Sequence, residues 1–228
     1  MKLTHSRLIR LIKEATTIND KEIIAIYPGR FQPMGKHHKA TYDWMVSKFG
    51  EANSFIVTSD KVCLPDSPLC FSDKKQIASA MGIPESSIKQ ERIVYAPMTF
   101  DFLKDKNVNN NAVVVVIGAK DMEASFDPKT GKVEKPRFVR GKSLDGFKAD
   151  GSPKYYKSYV EGEPLEGFDR HGYVAIAPHQ EINIDGREMS GSSLRSTIPD
   201  ASNEEFESML GITDQDTIEM MRQKIRGN

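Results

Sequence analysis

The sequence predicts an α/β fold: a five-stranded parallel sheet with helices on both faces. Three observations carry that expectation. Five short runs, at Ile23–Ile26, Ser54–Thr58, Arg92–Ala96, Ala112–Ile117 and Tyr173–Ala177, are apolar and rich in β-branched residues, which is the length and character of buried strands. Segments whose apolar residues return at helical spacing lie between several of them, and that alternation marks a parallel sheet. The fourth run closes in Gly118-Ala119-Lys120-Asp121, and in an open parallel sheet ligands sit beyond the carboxyl ends of the strands.

A length of 228 residues suits one such domain with an insertion or an appendage. Residues 1–20 read as a helical appendage, in which Leu8, Leu11, Ile12 and Ala15 share a face. Such a helix suits packing on its own domain, docking onto an assembly or homo-oligomer formation. Residues 21–228 form the main domain, interrupted by an insertion at about 125–170. Thirty-two basic residues balance thirty-two acidic ones, so no general field draws in nucleic acid or an anionic membrane. No apolar run approaches a membrane span, and the N-terminus lacks a signal-peptide pattern. The expected location is cytoplasmic. Cys63 and Cys70 fit neither a zinc knuckle nor a redox pair and read as free thiols.

The first strand–turn–helix is the richest stretch. Ile23–Ile26 lead to Pro28-Gly29, Arg30 and Gln32 bring polar groups to the strand end, and Pro33 closes the loop. Gly35-Lys36-His37-His38 then opens a helix carrying Tyr42, Met45, Val46 and Phe49 on one face. A helix start rich in Lys and His, with free N–H groups and a favourable dipole, suits an anion such as phosphate. After the second strand and the KVCLPDSPLC loop, Ser72 is the expected N-cap of the next helix, with Asp73 in its first turn and Lys74 and Lys75 behind.

Gly118 lets a nucleotide approach the backbone, and Asp121 can accept hydrogen bonds from ribose hydroxyls. Residues 125–170 lose all periodicity and are turn-rich, which suggests an insertion at the active-site rim. Between 127 and 160 they hold nine Lys or Arg against four Asp or Glu, with Tyr155, Tyr156 and Tyr159 nearby. A lid that closes over phosphates and stacks on a base fits that composition, as does a solvated surface loop. After the fifth strand, Ile182–Glu188 suggests an extended turn through Asp185-Gly186. In Met189-Ser190-Gly191-Ser192-Ser193-Leu194-Arg195, Ser190 or Ser192 is the expected cap of a helix facing the same crevice. Two short helices follow, one ending at Gly211 and one opening at Thr213 or Asp214.

Gly-Arg-Phe-Gln-Pro with its histidine tetrad, and Ser-Gly-Ser-Ser-Leu-Arg after four further strands, resemble the two signature motifs of the nucleotidylyltransferase (cytidylyltransferase-like) superfamily. The flanking residues look most like phage-encoded nicotinamide-nucleotide adenylyltransferase-type proteins. The resemblance covers roughly residues 22–200 outside the insertion. It implies a Rossmann-like fold, Mg2+ held through nucleotide phosphates with no metal ligand from the protein, and transfer of a nucleotidyl group. The donor would be an NTP, with ATP favoured over CTP, and the acceptor a small phosphorylated molecule such as nicotinamide mononucleotide. His38 would contact the α-phosphate, with Lys36 adding charge. Gly29, Arg30, Phe31, Gly35 and His37 would line the nucleotide, Gly118 and Asp121 would frame the nucleoside, and Ser190, Ser192, Ser193 and Arg195 would hold the departing pyrophosphate. One of Lys74 and Lys75 would meet the substrate phosphate. The tetrad departs from the family's His-x-Gly-His: only His38 matches, and Gly35 stands where the first histidine belongs. A protein that kept the fold and lost catalysis, serving as a nucleotide-binding or structural phage protein, is the other reading of that departure.

Overall fold

The computed structural model describes residues 21–127, 132–178, 183–184, 187–188 and 191–227. The N-terminal helix expected in residues 1–20, the candidate cap Ser190 and the Asp185-Gly186 turn lie outside them. In chain order the elements are β1 (Glu22–Pro28), α1 (Lys36–Phe49), β2 (Ser54–Thr58), α2 (Phe71–Ala80), β3 (Ile88–Gln90), β4 (Asn111–Gly118), β5 (Ser125–Asp127), β6 (Lys132–Glu134), β7 (Tyr156–Ser158), β8 (Gly172–Ala177), β9 (Asn183–Ile184), β10 (Arg187–Glu188), α3 (Gly191–Thr197), α4 (Asn203–Leu210) and α5 (Gln215–Arg226).

The sheet is parallel throughout, in the order β3-β2-β1-β4-β8-β7. β4 is central and buried from Asn111 to Ile117. Its side chains divide with the period of two that a strand imposes. Ala112, Val114 and Val116 enter one core, while Val113, Val115 and Ile117 enter the other. Each fully buried aliphatic side chain contributes about 1.5–3 kcal/mol, so this strand anchors both layers. β1 divides likewise, Ala25 and Tyr27 to the first core and Ile24 and Ile26 to the second.

The α/β class and parallel sheet agree with the sequence, with three differences. The sheet has six strands, because Tyr156–Ser158 of the insertion pairs parallel with Gly172–Val174 at the edge. The third strand is Ile88–Gln90 rather than Arg92–Ala96. Ile88 buries its side chain and pairs with Ile56, whereas Arg92 and Ile93 are exposed in a turn. Among the described residues every α-helix contributes its buried apolar residues to the first core. The opposite face is covered by 3-10 turns at Pro97–Thr99 and Asp101–Leu103 and by the insertion, through Phe100, Leu103, Phe138, Leu144 and Phe168. Pro97, which cannot donate a helical hydrogen bond, and the Asn-rich 107–111 stretch explain why the β3–β4 crossover forms no α-helix.

The segment expected as an insertion is therefore built into the fold. It opens as an antiparallel β5–β6 hairpin and ends as the β7 edge strand. Its tyrosines are structural: Tyr155 donates to the Phe168 carbonyl and Tyr156 to that of Tyr95, each at 2.7 Å. They are not free to stack on a base as a lid would require. The tail follows expectation. Gly211 closes α4 at φ 71°, and the Asp214 carboxylate accepts from the Thr217 amide at the start of α5.

Candidate active site

The loop between β1 and α1 is shaped by two constraints. Gly29 leaves room for the Phe31 ring, since a Cβ there would lie 2.6 Å from it and displace it. Phe31 itself takes a positive φ of 45°, a conformation that non-glycine residues adopt mostly where surrounding structure enforces it. Its buried ring packs edge-on against Tyr27 at 5.3 Å and against His38 at 5.1 Å. Gln32 then fixes the loop to the β2–α2 connection. Its amide donates to the Leu69 carbonyl at 2.7 Å, and its side-chain oxygen accepts from the Leu69 amide at 2.9 Å. This buried pair imitates a sheet rung between two loops.

Gly35 is the N-cap of α1, in extended backbone at φ −121°. Its N–H donates to His38 Nδ1 at 3.0 Å. That bond makes Nδ1 the acceptor and leaves Nε2–H as the donor of the neutral ring. Burial, reinforced by the adjacent His37, holds the His38 pKa well below its ordinary 6.5, and the two rings lie 3.8 Å apart. His38 is a neutral hydrogen-bond donor at physiological pH. Gly35 is there for space: a Cβ would stand 3.1 Å from both the His37 ring and Leu194. Lys36 leans the other way, with its Cε beside Gly211 in the α4–α5 corner.

The second motif closes on the first. Arg195, 163 residues along the chain from Gln32, donates to the Gln32 carbonyl at 2.6 Å, and Asp66 sits 3.8 Å from its guanidinium. Burial lowers the Arg195 pKa, Asp66 opposes that shift and the nearby Arg30 adds to it. Arg30 is exposed at the end of β1. Gly191, the first residue of α3, lies beside the same carbonyl: a Cβ there would make ordinary contact with it at 3.4 Å. Ser192 is inside α3 rather than at its cap, and Ser193 lies next to it.

Beyond β4, Asp121 lies in a 3-10 turn, with one carboxylate oxygen 4.0 Å from where a Gly118 Cβ would stand. Burial raises its pKa, and Arg137 of the insertion opposes the shift from 3.6 Å. The structure thus brings Gly29, Arg30, Phe31, Gly35, His37, His38 and Arg195 together at the carboxyl end of β1, with Gly118 and Asp121 at the neighbouring end of β4. It does not bring Lys75 there, and Lys74 stops at the adjacent end of β2, where its Nζ donates to Thr58 Oγ1 at 3.4 Å and that hydroxyl lies 3.5 Å from the Arg30 carbonyl. Lys74 is buried, donates to the Ser59 carbonyl at 2.5 Å and has its pKa lowered by burial; Lys75 pairs with Glu85 at 2.7 Å. A cavity of about 760 Å3 opens at the ends of β2 and β3, lined by Asp60, Lys61, Glu91, Arg92, Ile93 and Thr99 among others. Asp66, Leu69 and Arg137 carried no sequence signal, because each acts through contacts remote in the chain. Among the described residues no group of three or more His, Cys, Asp or Glu is arranged to hold a metal ion, and no helix is long and apolar enough to cross a membrane.

No family model and no curated protein matches the chain. Among solved structures it is similar to a bifunctional NMN adenylyltransferase/ADP ribose pyrophosphatase from Francisella tularensis, at 13% identity and a TM-score of 0.49 over 91% of this chain. The chain spans about half the length of that protein, 51%. It is also similar to the nicotinic acid mononucleotide adenylyltransferase of Plasmodium falciparum complexed with NaAD, at 13% identity and a TM-score of 0.46, covering 91% of this chain and 99% of that one. A putative nicotinate-nucleotide adenylyltransferase from Vibrio parahaemolyticus gives 12% identity and a TM-score of 0.39, covering 91% and 97%. At these values the likenesses assign no activity to this chain, and the fold class rests on the strand order itself.

Proposed function

We propose that the protein transfers a nucleotidyl group from an NTP, with ATP favoured, to a phosphate of a small acceptor such as nicotinamide mononucleotide, releasing pyrophosphate. The observation that carries this reading is the Arg195–Gln32 bond. It joins the two candidate phosphate-binding motifs, 163 residues apart in the chain, at the carboxyl end of β1, next to the β1–β4 switch point at which open α/β sheets generally bind nucleotides.

An acceptor phosphate oxygen attacks the α-phosphorus in line, the bond to the β-phosphate oxygen breaks, and pyrophosphate leaves with both electrons. This requires positioning and charge stabilisation rather than a covalent enzyme intermediate. His38 donates from Nε2 to the α-phosphate. Arg195, in place beside Arg30, neutralises the leaving pyrophosphate, and its partly desolvated setting strengthens that contact. Ser192 and Ser193, at the start of α3, stand beside it. Gly118 leaves room for the nucleoside. A divalent cation such as Mg2+, held through the NTP phosphates, would supply further charge neutralisation there.

One observation favours the alternative of a nucleotide-binding protein without catalysis. Gly35 replaces the first motif histidine, and a side chain in that position meets His37 and Leu194. The test is pyrophosphate release in Mg2+ with ATP or CTP against a panel of phosphorylated acceptors. Release that needs both substrates supports transfer. Tight NTP binding with no release from any pair supports the alternative.

A further inference from the structure

The motif residues place their cations, Arg30 and Arg195, on the β1 side of the crevice. On the β4 side the only arginine near the nucleoside position among the described residues is Arg137, which the insertion contributes. Three contacts hold it. The amides of Arg137 and Phe138 donate to the Asp121 carbonyl at 2.9 and 3.3 Å. Phe138 is buried against Tyr156 at 5.1 Å and Tyr95 at 6.2 Å, which anchors the segment. The Arg137 guanidinium lies 4.1 Å from the Tyr95 ring centroid, and the Tyr95 hydroxyl reaches the Pro28 carbonyl at the end of β1.

These contacts engage little of what a guanidinium offers. It carries five N–H donors in a planar fork suited to phosphate. Here one face rests on Tyr95, Nε stands 3.6 Å from an Asp121 oxygen, and 49% of the side chain remains exposed. An exposed ion pair of that length contributes little to stability. An arginine stacked on an anchored ring, beside the crevice and with Asp121 as the one carboxylate paired with it among the described residues, is pre-organised for an anion. Lys74 and Lys75, the other candidates for a phosphate, are buried or paired.

Building on the nucleotidyl-transfer reading, we infer that Arg137 is a specificity residue that binds the phosphate of a phosphomonoester acceptor. The insertion thereby selects mononucleotides over the corresponding nucleosides.

Calorimetric titrations with nicotinamide mononucleotide, nicotinamide riboside and MgATP test this in the parent protein, Arg137→Ala and Arg137→Lys. The parent is expected to bind the mononucleotide tenfold to a hundredfold more tightly than the riboside. Arg137→Ala should erase that preference by weakening the mononucleotide alone, with MgATP affinity within twofold, and Arg137→Lys should restore part of it. A merely structural arginine would alter all three ligands together or none. A preference that survives Arg137→Ala, an equal loss for MgATP, or no preference in the parent overturns the inference. Pyrophosphate release separates the two claims. Arg137-dependent mononucleotide binding without turnover leaves the inference standing and removes transfer. Turnover with an unchanged acceptor KM in Arg137→Ala does the reverse.

Discussion

Replacing Gln32 with leucine tests the architecture of the candidate site most sharply. The substitution keeps similar bulk at a position that is 7% exposed and removes both bonds to Leu69. Leu69 is fully buried, so its amide and carbonyl lose their partners where water is scarce. A buried polar group left unpaired costs about 1–3 kcal/mol, so the two together cost about 2–6 kcal/mol. That is a large part of the 5–15 kcal/mol available to a typical domain. Urea unfolding followed by circular dichroism should show a lower midpoint with an unchanged slope. The Gln32 carbonyl, which receives Arg195, belongs to the backbone and survives the substitution. The loop bearing it loses its tether, however, so NTP affinity should fall as well. Gln32→Glu should also destabilise, because a carboxylate then faces the Leu69 carbonyl. A loss below about 0.5 kcal/mol in Gln32→Leu, the range of ordinary surface changes, would refute the claim that this pair holds the loop.

Three further predictions concern the charged and titrating groups. Arg195→Ala should weaken NTP binding tenfold to a hundredfold, since a charge-assisted phosphate contact is worth about 1.5–3 kcal/mol; unchanged affinity in a folded variant removes Arg195 from the site. His38→Ala should lower kcat by about 10²–10³, the usual cost of losing a transition-state donor, with nucleotide affinity nearly constant, and His37→Ala should do less; equal effects in steady-state assays contradict the assignment to His38. The third is a pH effect. Because the folded-state pKa of His38 is depressed, the unfolded chain binds the extra proton first, and stability falls as pH drops below 6.5 by up to about 1.4 kcal/mol per unit. His38→Gln should flatten that part of the stability profile, and an identical slope in the variant would show that His38 is not held neutral.

Much of the fold was legible because the strands announce themselves. The Ala112–Ile117 run is apolar on both faces, and only a central strand of a covered parallel sheet uses such a sequence. The β1–α1 turn was legible for the same reason, since Pro28, Gly29 and Pro33 leave the backbone few options. The third strand was misplaced because Arg92–Ala96 carries the β-branched signal, whereas register with β2 recruits the less conspicuous Ile88–Gln90. The sixth strand was hidden. Three residues in a turn-rich stretch have no periodicity to read, and β7 exists only through pairing with β8. The candidate site divides in the same way. Candidate residues close in sequence, such as Gly35 and His38, stand out in a strand–turn–helix stretch that resembles a known motif. Leu69, Asp66 and Arg137 meet the motifs only after folding, and nothing local marks them.

The central claim, nucleotidyl transfer between the two joined motifs, is tested most directly by product analysis. The protein is incubated with MgATP and nicotinamide mononucleotide, and pyrophosphate and dinucleotide are quantified by ion-exchange chromatography. The account predicts equimolar appearance of the two products, abolished by omitting either substrate and reduced at least tenfold in both His38→Ala and Arg195→Ala. Pyrophosphate without dinucleotide, no product across a full panel of phosphorylated acceptors with ATP and CTP, or undiminished rates in both variants would contradict it.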